Sequence, residues 1–301
     1  SIVDANSYTI VATATANASD TGNGGSNTVA AYQINTGLDA AAAGSGWGAG
    51  VWSRGTWSSA ANVTVPGANV RLWSMDNFGE DLLANVRGGG IYYWDTSAGT
   101  SVRAVDITSL SGNNQPQVAN VVLVSERDRH VFAFGCDPQG DPGVLDPLTI
   151  RFSSQESFTD WQARDDNTAG ELRIGTGSEI IAAVQTKQQT VVFTDRSVSA
   201  LQFIGAPFTF GLSEVSTNTS ILSQNAAVAV GDAVYWIGND VFYRYDGNVS
   251  IIPCPVEEYV FDNVNTSQLS KVVSGSNSEF NEVWWFYPSA ASENNDSYVV
   301  Y

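Results

Sequence analysis

Short runs of Val, Ile, Phe, Tyr and Trp recur along most of the chain, each bounded by Gly, Asn, Asp or Ser. Runs of that length and composition read as strands between tight turns. Helix signals are nearly absent. Leu38 to Ala43 is rich in Ala, but Gly44-Ser45-Gly46 stops it before a stable helix can propagate.

The strands fall into a repeat. One unit runs through Ala226–Val230, Ala233–Ile237, Val241–Tyr245 and Val249–Ile252, with turns at Gly231-Asp232, Gly238-Asn239-Asp240 and Asp246-Gly247. The unit before it has Ile180–Val184, Thr190–Phe193, Val198–Phe203 and a fourth strand around Phe208–Val215. The same grammar extends to Val121–Val124, His130–Phe134, Leu148–Phe152 and Glu171–Ile174. It also covers Val70–Trp73, Asp81–Asn85, Ile91–Trp94 and Val102–Val105, and ends in Lys271–Val273, Glu282–Tyr287 and Tyr298–Tyr301. First strands begin near 70, 121, 180, 226 and 271. Four-stranded units at that period are the blades of a β-propeller, each burying its two faces against its neighbours. The expected fold is all-β: a propeller of about five four-stranded blades, the last truncated, over 66–301. Two stacked sandwiches would not explain the recurring grammar.

Residues 1–65 differ. A strand-like Ser7–Thr13 and a Ser, Asn and Gly stretch precede Val29–Ile34 and a segment in which Trp47, Trp52 and Trp57 alternate with glycines. This reads as an irregular extension. A spacing of five fits neither a helix face nor one side of a strand, so the three tryptophans are expected to pin a loop at separate points. The loop is either an apolar lid or a docking loop, since Trp is a favoured interface anchor. The balance tips to docking, because a low-charge loop outside the repeat has no blade to complete.

The chain has 13 Lys+Arg against 31 Asp+Glu, a net charge of −18, which argues against sequence-specific nucleic-acid reading. A single histidine, His130, restricts a Ser-His-Asp triad to that residue and excludes multi-histidine metal sites. It reads as structural or exposed. Cys136 and Cys254 lack zinc spacing and read as small hydrophobes rather than a bridge. No run is long enough for a membrane-spanning helix, and no secretory signal is visible in Ser1–Thr13. The chain lacks an initiator Met and ends within a strand-like run, so it reads as part of a longer polypeptide.

Candidate chemistry gives way to structural readings. Glu126, Asp128, Asp165, Asp166, Glu257 and Glu258 form adjacent or near-adjacent acid pairs of the kind a glycosidase needs, but they sit in turns or at strand ends. Asp137-Pro138-Gln139-Gly140-Asp141-Pro142-Gly143 with Asp146 lacks the alternating ligands of a calcium loop and reads as a proline-stiffened hairpin. Gly88-Gly89-Gly90 has no following Lys or helix and reads as a hairpin turn rather than a phosphate cradle. Ser154 to Trp161 is similar to the Asp-box turn of sialidase-like propellers, with Glu156 and Phe158 departing from it. No catalytic residue, cofactor or metal is expected.

The stretches Val70–Ala84, Gly89–Asp95, Phe152–Trp161, Phe193–Ser197 and Tyr235–Gly247, with Tyr32–Asn35 and Gly46–Gly50 upstream, resemble virion structural proteins of tailed bacteriophages. The resemblance is to propeller-bearing tail hub, nozzle or packaged-DNA-stabilisation proteins and covers most of the chain. It implies a non-enzymatic ring or tube, built from copies of the chain and other tail, adaptor or portal proteins. The genome would pass through it without sequence-specific binding, and an acidic lumen would repel phosphate. It also implies assembly in the host cytoplasm and a place in the virion, at the tail or head-to-tail junction, with no membrane partner. The alternative is a receptor-binding propeller that binds or hydrolyses glycans.

Overall fold

The computed structural model describes residues 2–4, 7–8, 37 and 70–301. The chain divides into two compact units, Ser1–Thr36 and Gly37–Tyr301. Within the first, β1 (Ile2–Asp4) and β2 (Ser7–Tyr8) form an antiparallel pair.

The second unit is a five-bladed all-β propeller. Blade 1 comprises β3 (Trp73–Phe78), β4 (Asp81–Val86), β5 (Ile91–Trp94) and β6 (Val105–Asp106). Blade 2 comprises β7 (Ala119–Val124), β8 (Val131–Cys136), β9 (Asp146–Phe152) and β10 (Gly170–Arg173). Blade 3 comprises β11 (Ile180–Gln185), β12 (Thr190–Thr194), β13 (Val198–Gly205) and β14 (Thr209–Ser216). Blade 4 comprises β15 (Ala227–Val230), β16 (Ala233–Ile237), β17 (Phe242–Tyr245) and β18 (Val249–Ile252). Blade 5 has three strands among the described residues: β19 (Val273–Asn277), β20 (Glu282–Tyr287) and β21 (Ser297–Val300). Every pairing within a blade is antiparallel between consecutive strands.

The strand alternation explains the stacking. Along β8, Val131, Ala133 and Cys136 face the core shared with blade 1, while Phe132 and Phe134 face the core shared with blade 3. All six residues of β8 are buried, as expected for a strand covered on both faces. In β12, Val192 joins the core between blades 2 and 3, and Val191 and Phe193 join the core spanning blades 3, 4 and 5.

Three details differ from the sequence reading. Blade 1 opens at Trp73, three residues after the expected start at Val70, and its outer strand shrinks to Val105–Asp106 because Asp106 caps a 3-10 turn at Ile107–Ser109. Glu257 and Glu258 are not in a turn or at a strand end; they open an α-helix, α1 (Glu257–Asn263), between blades 4 and 5. The helix is held by burial of Val260 and contact of Phe261 with the core, and the two acids lie at its positive end.

Candidate interaction surface

Neighbouring blades share no continuous ladder, only isolated bridges such as Gly89 to Ala119 and Asn225 to Val273, so most backbone groups on the inner edges need other partners. Side chains of other blades supply them. On β3, Ser74 Oγ accepts from Val122 N at 2.9 Å and Asp76 Oδ2 accepts from Val124 N at 2.8 Å. The Arg87 guanidinium, in the β4–β5 turn, donates to the carbonyls of Ile181 at 2.9 Å and Ile180 at 3.2 Å in blade 3. It also reaches Gln224 Oε1 at 3.4 Å and Glu179 Oε2 at 3.3 Å. Gln224 in turn donates to the Trp73 carbonyl at 3.3 Å, and Ser274 donates from its amide and hydroxyl to the Asn225 carbonyl.

The polar residues singled out in the sequence are used in the same structural way. Asp137 accepts from the amides of Gln117, Val118 and Gly143, clamping the loop that superficially resembles a calcium site. Arg151 is fully buried and donates to the carbonyls of Asp137, Asn114 and Trp161. In the Ser154–Trp161 turn, Trp161 is fully buried and donates to the Phe158 carbonyl at 2.9 Å. Asp160 holds Arg164, Asn113 and Asn167. Gly88, at φ +68°, forms the β4–β5 turn with Gly89 and donates its amide to the Ala119 carbonyl.

Of the acid pairs, Asp128 and Asp166 make ion pairs with Arg127 and Arg164, at 3.9 and 3.2 Å. Among the described residues, no three His, Cys, Asp or Glu side chains are placed to hold a metal ion. His130 is buried, with Nε2 at 3.0 Å from Thr168 Oγ1 and its ring edge-on to Phe210 at 5.0 Å. Burial pushes its pKa below the ordinary value, against the opposing pull of Asp128. Cys136 is buried and Cys254 half-buried, and both are free thiols. Trp47, Trp52 and Trp57 lie outside the described residues.

What stands out on the surface is apolar. On blade 5, Val283, Trp285, Tyr287 and Val299 face blade 4, whereas the opposite side of the same strands carries exposed Val273, Phe286, Tyr298 and Val300. There the cross-strand row Val273–Phe286–Tyr298 is followed by Gly275–Trp284–Val300. Trp284 stacks on Phe286 and Tyr298 at 5.9 and 5.0 Å, and Tyr298 is 59% exposed. Blade 1, at the other end of the series, exposes Trp73 and Met75 on the side of β3 opposite Ser74 and Asp76. The sequence signal was present in Val283-Trp284-Trp285-Phe286-Tyr287, a run apolar on both alternating faces. A separate cleft of about 350 Å³ lies among Ser216, Asn218, Thr219, Asp240, Tyr243 and Ser250. Burial and the charge of Asp240 raise the Tyr243 phenol above its ordinary value.

No family model and no curated protein matches the chain. Among solved structures it is similar to the extracellular domain of BT4673 from B. thetaiotaomicron, at 10% identity and a TM-score of 0.48, over 75% of this chain and 26% of that one. It is also similar to Kluyvelomyces marxianus Hsv2, at 8% identity and a TM-score of 0.38, over 76% of this chain and 62% of that one. A third is Citrobacter koseri AztD, at 8% identity and a TM-score of 0.40, over 76% of this chain and 57% of that one. The chain thus spans about a quarter of the first of these proteins and under two thirds of the other two.

Proposed function

We propose that this chain is a non-enzymatic structural component of a tailed-phage particle, an oligomeric tail hub, nozzle or head-to-tail adaptor forming part of the DNA conduit. The observation that carries a structural role is the apolar face of blade 5, with exposed Val273, Phe286, Tyr298 and Val300 around half-buried Trp284. Exposed contiguous apolar surface marks a site of protein association. The phage assignment is supported by the sequence resemblance, and the charge of −18 suits a surface past which DNA slides without sticking. Mass spectrometry of purified virions tests it: several copies per particle are expected, and absence from virions overturns the reading.

The cleft beside Asp240 and Tyr243 favours a second reading, since a carboxylate with amide and hydroxyl groups suits a neutral sugar. A glycan array with a hydrolysis assay checks it. A clear hit together with absence from virions would favour a receptor-binding or glycan-active propeller.

A further inference from the structure

We infer that the cleft between the outer parts of blades 3 and 4 is a binding site for a neutral sugar, which it holds through Asp240 and does not hydrolyse. The inference rests on the second reading above, that the chain takes a glycan, and gives that reading a place and a ligand class.

The cleft exists because part of blade 4 is left uncovered. Tyr243 pairs with Ile251 and Tyr245 with Val249 across β17 and β18, so these four side chains share one side of the blade. That side faces blade 3, whose Gln189 donates to the Tyr245 hydroxyl at 2.7 Å. Blade 3 does not close over the rest. Its outer strand β14 stops at Ser216, and the chain turns back towards the β12–β13 turn, where the Thr219 amide donates to the Arg196 carbonyl at 3.3 Å. Ile251 is left 59% exposed, and the cleft of about 350 Å³ opens beside it. Its walls come from residues 216–251 alone, and its volume is ample for a single pyranose ring.

The walls are fixed by contacts behind them. The Tyr243 ring stacks on buried Trp236 at 5.1 Å, and the Trp236 indole donates to the Ser220 carbonyl at 3.0 Å. The Asn239 amide donates to Ser220 Oγ at 2.9 Å, which anchors the turn carrying Asp240. Gly238 suits this turn because a Cβ there would lie 2.6 Å from the Tyr243 ring. A wall already held in place costs little ordering entropy when a ligand arrives.

Wall chemistry selects the ligand. The side chains of Ser216, Asn218, Thr219 and Asp240 make no hydrogen bond or ion pair among the described residues, so their polar atoms are available. Val241, Val249 and Ile251 supply an apolar strip beside them. A strip bordered by hydroxyls, an amide and a carboxylate is the complement of a pyranose, which has a C–H face and a rim of hydroxyls. The carboxylate can accept charge-assisted hydrogen bonds from two neighbouring hydroxyls, whereas an acidic sugar or a phosphate would be repelled. Among the described residues lining the cleft, Asp240 is the one carboxylate, and glycoside hydrolysis takes a pair. The cleft therefore binds without cleaving.

Isothermal titration calorimetry with the methyl glycosides of glucose, galactose, mannose and N-acetylglucosamine, at about 50 and 500 mM NaCl, tests this. At least one should bind with a dissociation constant of about 1 mM, unchanged by salt because the ligand is neutral. Asp240→Asn, at an exposed position, should weaken that glycoside about tenfold or more, since the charged acceptor is lost. Ile251→Ser, also exposed, should weaken it by removing apolar contact and guards against a local rearrangement in the first variant. No binding of any of the four up to about 20 mM overturns the inference, as does binding that both variants retain. The glycan array then separates the two failures: a hit kept by Asp240→Asn leaves the glycan reading standing at another site, and no hit removes both. Binding that weakens at high salt and is competed by lysine amide overturns the neutral class in favour of a cation. Release of methanol from the glycoside refutes the non-hydrolytic assignment.

Discussion

Replacing Arg87 by Met tests whether blades are laced through side chains. The change keeps most of the apolar stem and removes the guanidinium that binds two carbonyls of blade 3 at 2.9 and 3.2 Å. Hydrogen bonds from a charged donor contribute about 1.5 to 3 kcal/mol each, and an orphaned buried carbonyl costs a similar amount. Against this stands the desolvation of the guanidinium, which also lowers its pKa and which Met does not suffer. The net loss expected is about 2 kcal/mol, or about 4 to 8 °C in Tm for a domain of this size. The ion pair to Glu179 is a minor part, because Glu179 is half exposed and such pairs contribute at most about 1 kcal/mol. Glu179→Gln should therefore change stability by less than half as much as Arg87→Met. Urea unfolding of both variants decides the matter. An Arg87→Met loss below about 0.5 kcal/mol, or equal losses for the two, would refute the carbonyl-lacing argument.

Acid should weaken the fold through His130, whose folded-state pKa lies below the ordinary 6.5. The unfolded chain takes up that proton first, so the stability from a neutral His130 is complete above pH 6.5 and lost as pH falls below it. His130→Leu should flatten the urea midpoint between pH 6.5 and 5, and an unchanged slope would show that other groups dominate. Gly170 faces the ring of buried Phe152, so Gly170→Ala drives a methyl into the ring and should cost about 1 to 3 kcal/mol. Gly175→Ala meets open space and serves as the neutral control in the same thermal melts.

The blade pattern was legible in the sequence because alternation is local. Val191-Val192-Phe193 and Val131-Phe132-Ala133-Phe134 show by residue type alone that both faces are buried, and the recurrence of such strands sets the repeat. Turn chemistry was legible for the same reason, as at Gly88-Gly89-Gly90 and Ser154 to Trp161. What fills the inner edges was not. Asp76 serves Val124, Arg87 serves Ile181 and Gln224 serves Trp73, pairs 48, 94 and 151 residues apart. A polar side chain carries no sequence mark of which distant amide or carbonyl it will satisfy. For that reason the sequence placed Asp137 in a hairpin loop without showing which three amides its carboxylate accepts from, and Glu257 and Glu258 read as turn or strand-end residues until contacts of Val260 and Phe261 revealed a helix.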